Sequence, residues 1–250
     1  MFRDKQIFMR SKWRFVQFFY FPVTTVIIWG LFAIFSRDFS PQAGLMVLAV
    51  NVFWSFSYLA QSTTNMAINE DQWSGSFKQV MSSGFSAFEY VVARIVMSTV
   101  IAVLVMALML AVAGLFGLTV LFEKPLFTLG LTLLSLSGSI ALSFFVAALI
   151  LLLGREYSFL AWTVLQIFVL LSAPVYPVDI LPPSMQAIAH VMPFTNVFTG
   201  VRGLINTGSI PFAVFFNGAV ISLIYLLLSI PLYHYSFRRA RQNGMLARMY

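Results

Sequence analysis

The sequence contains no cysteine, few charged residues and only two histidines. The absence of cysteine excludes disulfide bonds and thiolate metal sites. Charged side chains make up 9% of the 250 residues and apolar ones 60%, whereas soluble domains carry about 25% charged residues. This composition predicts an integral membrane protein, and we expect residues 1–250 to form a single transmembrane domain.

Two further absences narrow the function. No Gly-x-x-x-x-Gly-Lys-Ser/Thr run occurs, so the chain lacks the loop with which P-loop ATPases hold nucleotide phosphates. The middles of the apolar runs contain no Asp, Glu, Lys, Arg or His, although ion-coupled carriers and charge-selective channels usually need such groups at depth. His190 and His234 belong to different segments, so we expect neither a metal site nor a histidine-based catalytic site.

Six apolar runs are present, and each is expected to form a transmembrane helix, the fifth being short. They cover residues 15–36, 43–68, 87–121, 126–153, 157–173 and 211–235. Residues 1–14 mix basic and apolar side chains, which favours an amphipathic helix on an anionic leaflet of membrane lipids. Residues 236–250 form a basic tail. The expected fold is an all-α integral membrane protein with six transmembrane helices.

The basic residues are distributed unevenly about these six spans. An even number of spans places both termini on one side, and that side holds 12 of the 15 Lys and Arg residues. The other side keeps Arg37, Lys124 and Arg202. The positive-inside rule therefore predicts cytoplasmic termini and a multi-pass protein of a bacterial or archaeal plasma membrane. The same asymmetry accounts for the net charge of +7 without a nucleic-acid partner.

Residues 70–84, EDQWSGSFKQVMSSG, are the most polar stretch between two spans. Glu70 and Asp71 favour a helix N-terminus, and Ser82-Ser83-Gly84 favours a turn. Helical spacing would place four residues on one apolar face, namely Trp73, Phe77, Val80 and Met81. About ten helical residues reach only about 15 Å, half a bilayer. The pattern predicts a short helix at the cytoplasmic surface.

Polar residues recur along one face of the second span. The positions are separated by four and three residues and comprise Asn51, Ser55, Tyr58, Ser62 and Asn65. In the fifth span, Thr163 and Gln166 supply a sparser set. Amides that face lipid would be unsatisfied and costly, so the stripe faces protein or a cavity. Two interpretations remain open: interhelical hydrogen bonding, or the wall of a substrate path.

The fourth span carries Ser135, Ser139 and Ser143 at intervals of four, a stripe of small residues that lets helices pack closely. The run LSLSGS at residues 134–139 superficially resembles a membrane serine-protease motif. No histidine lies at that depth to act as a base, so catalysis there is rejected and the stripe is interpreted as helix packing.

Together these features resemble the permease subunits of ABC type-2 exporters, over nearly the whole chain. Asp71 to Ser76, followed by an apolar segment that ends at Ser83, is similar to the family's acid-x-x-x-Gly-Ser/Thr pattern. Here Asp71 replaces the usual glutamate, and Gly84 stands where proline is common. The run PVYPVDILPPSMQAIAHVMPFTNVFTGVRG resembles the family's outer segment, with matching positions at Pro182, Pro193, Thr195 and Arg202.

The resemblance implies a cytoplasmic coupling helix over residues 70–84 and short outer re-entrant helices over residues 175–209, between spans five and six. It implies that a separate ABC ATPase subunit, two copies per complex, docks on a group of coupling residues: Glu70, Asp71, Trp73, Gly75, Ser76 and Phe77. ATP and Mg²⁺ would be bound by that partner, so this chain would hold no cofactor and catalyse no reaction. A second permease copy or a paralogue would meet the chain around spans one, two and five.

The function that follows is export of an amphipathic drug, a lipid or a lipid-linked glycan. The candidate translocation path comprises the seven polar residues of spans two and five. The alternatives are a membrane assembly or structural protein without transport, an ion-coupled secondary carrier and, least favoured because no catalytic set is present, a membrane enzyme.

Overall fold

The computed structural model describes residues 12–242, and within this range it contains α-helices and short 3-10 turns but no β-strand. The helices are α1 (Lys12–Phe35), α2 (Pro41–Trp73), α3 (Ser76–Ser82), α4 (Ala87–Leu115), α5 (Val120–Glu123), α6 (Pro125–Leu153), α7 (Leu160–Leu171), α8 (Pro183–Val191), α9 (Thr195–Thr207) and α10 (Phe212–Gln242). The 3-10 turns cover Ser36–Asp38, Arg155–Tyr157 and Val178–Ile180.

Five of these helices are long and apolar enough to cross a membrane: α1, α2, α4, α6 and α10. The chain is therefore a helical, multi-pass membrane protein, as its composition predicts. The expected fifth span contains only the 12-residue helix α7. At 1.5 Å per residue α7 is about 18 Å long, shorter than the roughly 30 Å hydrocarbon core.

Helices α2 and α6 form the centre of the bundle. Helix α2 contacts α1, α4, α6, α7 and α9, and α6 also packs along α10. Phe53 and Phe56 of α2 are fully buried, as are Leu131 and Leu142 of α6. Gly200 favours the close approach of α9 to α6, because a Cβ there would lie 2.5 Å from Leu131 Cδ2 and would force that side chain to move.

The prediction of a helix that begins at Glu70 is wrong. Helix α2 continues through Glu70 and Asp71 to Trp73, and its last turn is closed by the bond from Ser74 N to Glu70 O. Gly75 then adopts a left-handed conformation (φ 70°), and the separate seven-residue helix α3 follows. An acid at a helix N-terminus gains only about 0.3–1 kcal/mol, and the buried contacts of Asp71 described below outweigh that preference.

Two other predicted boundaries differ from the structure. The third span ends as a helix at Leu115, not at residue 121, because the chain turns at Gly117 (φ 95°). Arg37 binds the carbonyl freed at that end, with Nη2 3.2 Å from Phe116 O. Helix α10 continues into the predicted tail as far as Gln242. Most of the predicted amphipathic segment 1–14 and the end of the tail lie outside the described residues.

Candidate functional site

Asp71 lies at the centre of a buried polar cluster at the end of α2. Its Oδ1 accepts a hydrogen bond of 2.8 Å from Ser76 Oγ on α3. Its Oδ2 accepts a hydrogen bond of 2.6 Å from the Tyr90 hydroxyl and forms an ion pair with Arg94, both on α4. We call Asp71, Ser76, Tyr90 and Arg94 the Asp71 cluster. One carboxylate therefore joins α3 to both neighbouring transmembrane helices.

An apolar contact of the residue after Ser76 also holds the N-terminal turn of α3 in place. Phe77 is 2% exposed, and its ring packs edge-on against Tyr90 with 5.1 Å between centroids. The same ring lies 6.4 Å from Phe237 of α10. Val80 and Met81 are partly buried beside it. Movement of α3 is thereby linked to α2, α4 and α10.

The six residues predicted to couple to a partner thus fall into three groups. Asp71 and Phe77 are buried within the chain, Gly75 and Ser76 are half-buried, and Glu70 and Trp73 lie at the surface. Tyr90 and Arg94 were missed, since Arg94 was counted among the cytoplasmic surface charges. The signal available was its position inside an apolar helix, where an arginine needs a partner.

A cavity of about 590 Å³ lies between α1, α2 and α7. Its walls combine aromatic, aliphatic and uncharged polar side chains: Phe21, Pro22, Thr25, Trp29, Asn51, Trp54, Ser55, Tyr58, Leu59, Ser62, Met66, Trp162 and Gln166. The described residues of the lining include no charged side chain and no histidine. Phe21, Trp29 and Trp162 are exposed, so the cavity opens on the surface that α1, α2 and α7 form on the single chain.

Five of the seven predicted path residues line this cavity, namely Asn51, Ser55, Tyr58, Ser62 and Gln166. Gln166 of α7 is held there because its Oε1 accepts a 2.8 Å hydrogen bond from Trp54 Nε1 of α2. Trp29, Trp54 and Trp162 also line the cavity, but they carry no periodic signal in the sequence, which is why they could not be assigned to the path.

Asn65 and Thr163 do not line the cavity. Asn65 is fully buried; its Nδ2 donates to Ser143 O of α6 at 3.0 Å, and its Oδ1 accepts from Gln61 Nε2 at 2.7 Å. Thr163 is exposed, and its Oγ1 donates to the carbonyl of Phe159, the residue before α7. The polar stripe of α2 thus faces the cavity from Asn51 to Ser62 and neighbouring helices only at Asn65.

The serine stripe of α6 faces α2. Ser135, Ser139 and Ser143 are buried. Ser57 Oγ lies 3.3 Å from Ser135 Oγ, and Ser139 Oγ donates to Ser57 O at 3.2 Å. These contacts join the two central helices and fit the packing interpretation.

The outer segment is organised by Arg202. This side chain is 8% exposed and donates to Ala173 O at 2.7 Å and to Pro174 O at 3.2 Å. Ala173 has a left-handed backbone (φ 49°). Burial lowers the pKa of the Arg202 guanidinium, and the charge of Asp179 opposes this shift.

The remaining predicted positions of the outer segment shape its two short helices. Pro182 stands immediately before α8, and Pro193 lies in the turn between α8 and α9. Thr195 begins α9 and donates to Ala189 O. The segment is therefore broken into short helices.

No cluster of metal-ligating side chains occurs among residues 12–242.

Comparisons with known proteins identify the family of the chain. A comparison with curated proteins finds no match. The sequence model of the ABC-2 type transporter family matches residues 3–206 of the 250. This match covers residues 70–84, the cavity, α8 and α9 up to residue 206. The chain belongs to the ABC-2 type transporter family, whose membrane domains are non-catalytic transport permeases.

Proposed function

We propose that the chain is the membrane permease of an ATP-driven exporter, which moves an amphipathic compound out of the cytoplasm with energy from a separate ATPase. The observation that carries this proposal is the cavity between α1, α2 and α7, lined by uncharged polar and aromatic residues. In a transporter family member, such a lining suits a ligand with both apolar and polar parts.

The Asp71 cluster supports a route for the energy. A partner that pushes on α3 would move α2 and α4 through Asp71, because this carboxylate bonds to residues of α3 and α4. It would move α10 through Phe77 and Phe237. Helix α2 carries the cavity residues Asn51 to Ser62, so a shift of α3 would alter the cavity.

The complete path would need a second permease chain, identical or paralogous. The cavity is open on the face formed by α1, α2 and α7, and a partner chain that covers this face would enclose it. We propose that the chain crosses a plasma membrane six times, with α7 as a short fifth span and both termini in the cytoplasm. In this topology α8 and α9 are re-entrant helices on the outer side.

Two glycine variants test the coupling. Gly75 (φ 70°) and Gly208 (φ 67°) have nearly the same left-handed backbone, so valine strains both by a similar 1–3 kcal/mol or so. Gly208 lies near the start of α10, whose far end contacts α3. We expect Gly75→Val to abolish ATP-driven efflux of a panel of amphipathic fluorescent compounds while the permease dimer persists. Gly208→Val should retain efflux.

Other outcomes separate the alternatives. Normal efflux by the Gly75→Val variant contradicts coupling through α3. Purification in mild detergent without a P-loop ATPase, identified by mass spectrometry, favours an assembly or structural protein. Efflux that continues without ATP favours an ion-coupled carrier.

A further inference from the structure

The cavity between α1, α2 and α7 has a chemical bias that narrows its ligand. We propose that it takes a lipophilic organic cation, such as an aromatic ammonium or phosphonium compound, in preference to an anion. Calling this ligand the exported substrate rests on the proposed function, whereas its binding does not.

Aromatic rings line much of the cavity, and the described lining residues carry no charge. Trp29, Trp54, Tyr58 and Trp162 line the cavity together with Phe21. The faces of aromatic rings attract cations, tryptophan most strongly. Among the described side chains that line the cavity none is basic, so none of them would repel a cation or neutralise an anion.

Some hydrogen-bond donors of the lining are occupied by acceptors within the chain. Three donors of the lining are already bound within the chain: Trp54 Nε1 to Gln166 Oε1, Thr25 Oγ1 to Pro22 O and Ser62 Oγ to Tyr58 O. A bound anion requires free hydrogen-bond donors, and these three are not available to it. The lining therefore suits a cation better.

Two ions of the same size and opposite charge test this bias directly. The purified complex is placed in lipid nanodiscs and titrated separately with tetraphenylphosphonium and tetraphenylborate, with empty nanodiscs as the blank for partitioning into lipid. We expect saturable binding of the phosphonium, with roughly tenfold higher affinity than the borate, as two or more ring contacts to a cation would give. Stronger or equal saturable binding of the borate would overturn the proposal.

Variants locate the binding. Trp54→Ala should weaken phosphonium binding by roughly fivefold or more, and Trp54→Phe, which keeps a ring, should restore most of it. Phe216→Ala removes a ring that is 58% exposed on α10, outside the cavity, and should leave binding unchanged. Equal losses in the Trp54→Ala and Phe216→Ala variants, or no saturable phosphonium binding in the unmodified protein, would overturn the assignment. Recovery of the ATPase with the permease is scored independently, so a failed cation assignment is distinguishable from a failed exporter proposal.

Discussion

Replacement of Asp71 by asparagine removes one charge from a buried ion pair while it preserves the shape of the side chain. The side chains of Arg94 and Asp71 are only 10% and 8% exposed, so water compensates little for the lost charge. Asparagine keeps one oxygen acceptor but loses the second. In the unmodified protein that second oxygen accepts from Tyr90 and pairs with Arg94. We expect the permease to be strongly destabilised and α3 to be released from α4.

The magnitude follows from two contributions. Removal of one partner of a buried ion pair costs about 3–5 kcal/mol, and the retained oxygen of asparagine favours the lower end of this range. Weakening of the hydrogen bonds from Ser76 and Tyr90, which now go to a carboxylate, adds about 1 kcal/mol. The free energy of unfolding should therefore fall by about 3–5 kcal/mol, which is about 6–20 °C in Tm for a chain of this size.

Thermal unfolding of the purified permease, followed by circular dichroism, provides the assay. Asp71→Asn, Arg94→Gln and the double variant form a cycle, and we expect a coupling energy of about 1–3 kcal/mol. Glu156→Gln, at an exposed acid on the loop between α6 and α7, should change stability by less than about 0.5 kcal/mol. A loss below about 1 kcal/mol in Asp71→Asn, together with additive single variants, would refute the ionic link between α2 and α4.

Two further predictions concern packing and backbone strain. Ser139→Leu should lower the free energy of unfolding by about 1–3 kcal/mol, because α2 and α6 leave no room beside this 1% exposed side chain. Ser139→Ala, the control, should lower it by no more than about 1 kcal/mol. Similar losses in both variants would contradict close packing at this position. Ala173→Gly should raise the unfolding free energy by about 0.5–1 kcal/mol, because it relieves a left-handed alanine. Ala161→Gly, the control in the regular helix α7, should lower the free energy of unfolding by about 1 kcal/mol. If thermal denaturation shows that both variants change the free energy of unfolding in the same direction, this reasoning is contradicted.

The long helices could be predicted from the sequence because their signal is local. Apolar runs of more than 18 residues locate α1, α2, α4, α6 and α10 within a few residues. Helix ends were harder to predict, since they depend on tertiary contacts. Glu70 and Asp71 are typical of a helix N-terminus, yet they close α2, because Arg94 and Tyr90 bind Asp71 from another helix.

The candidate site could be predicted only in part, for a geometrical reason. The stripe from Asn51 to Asn65 repeats every seven residues, and such a repeat drifts by about 20° per heptad on a straight helix. Its two ends therefore face different neighbours, Gln166 of α7 near the cavity and Ser143 of α6 in the core. Spacing alone does not reveal which neighbour stands beside each end.

Contact between α3 and an ATPase is the central claim, and the absence of cysteine from the sequence allows a direct measurement. A single cysteine replaces either Gln79, exposed on α3, or Ser184, exposed on α8, and carries a benzophenone maleimide in native membranes. The account predicts that illumination cross-links the Gln79→Cys chain to a P-loop ATPase, identified by mass spectrometry, and that the Ser184→Cys chain gives no such product. Absence of the ATPase adduct from the Gln79→Cys chain, or equal adducts from both positions, would contradict it.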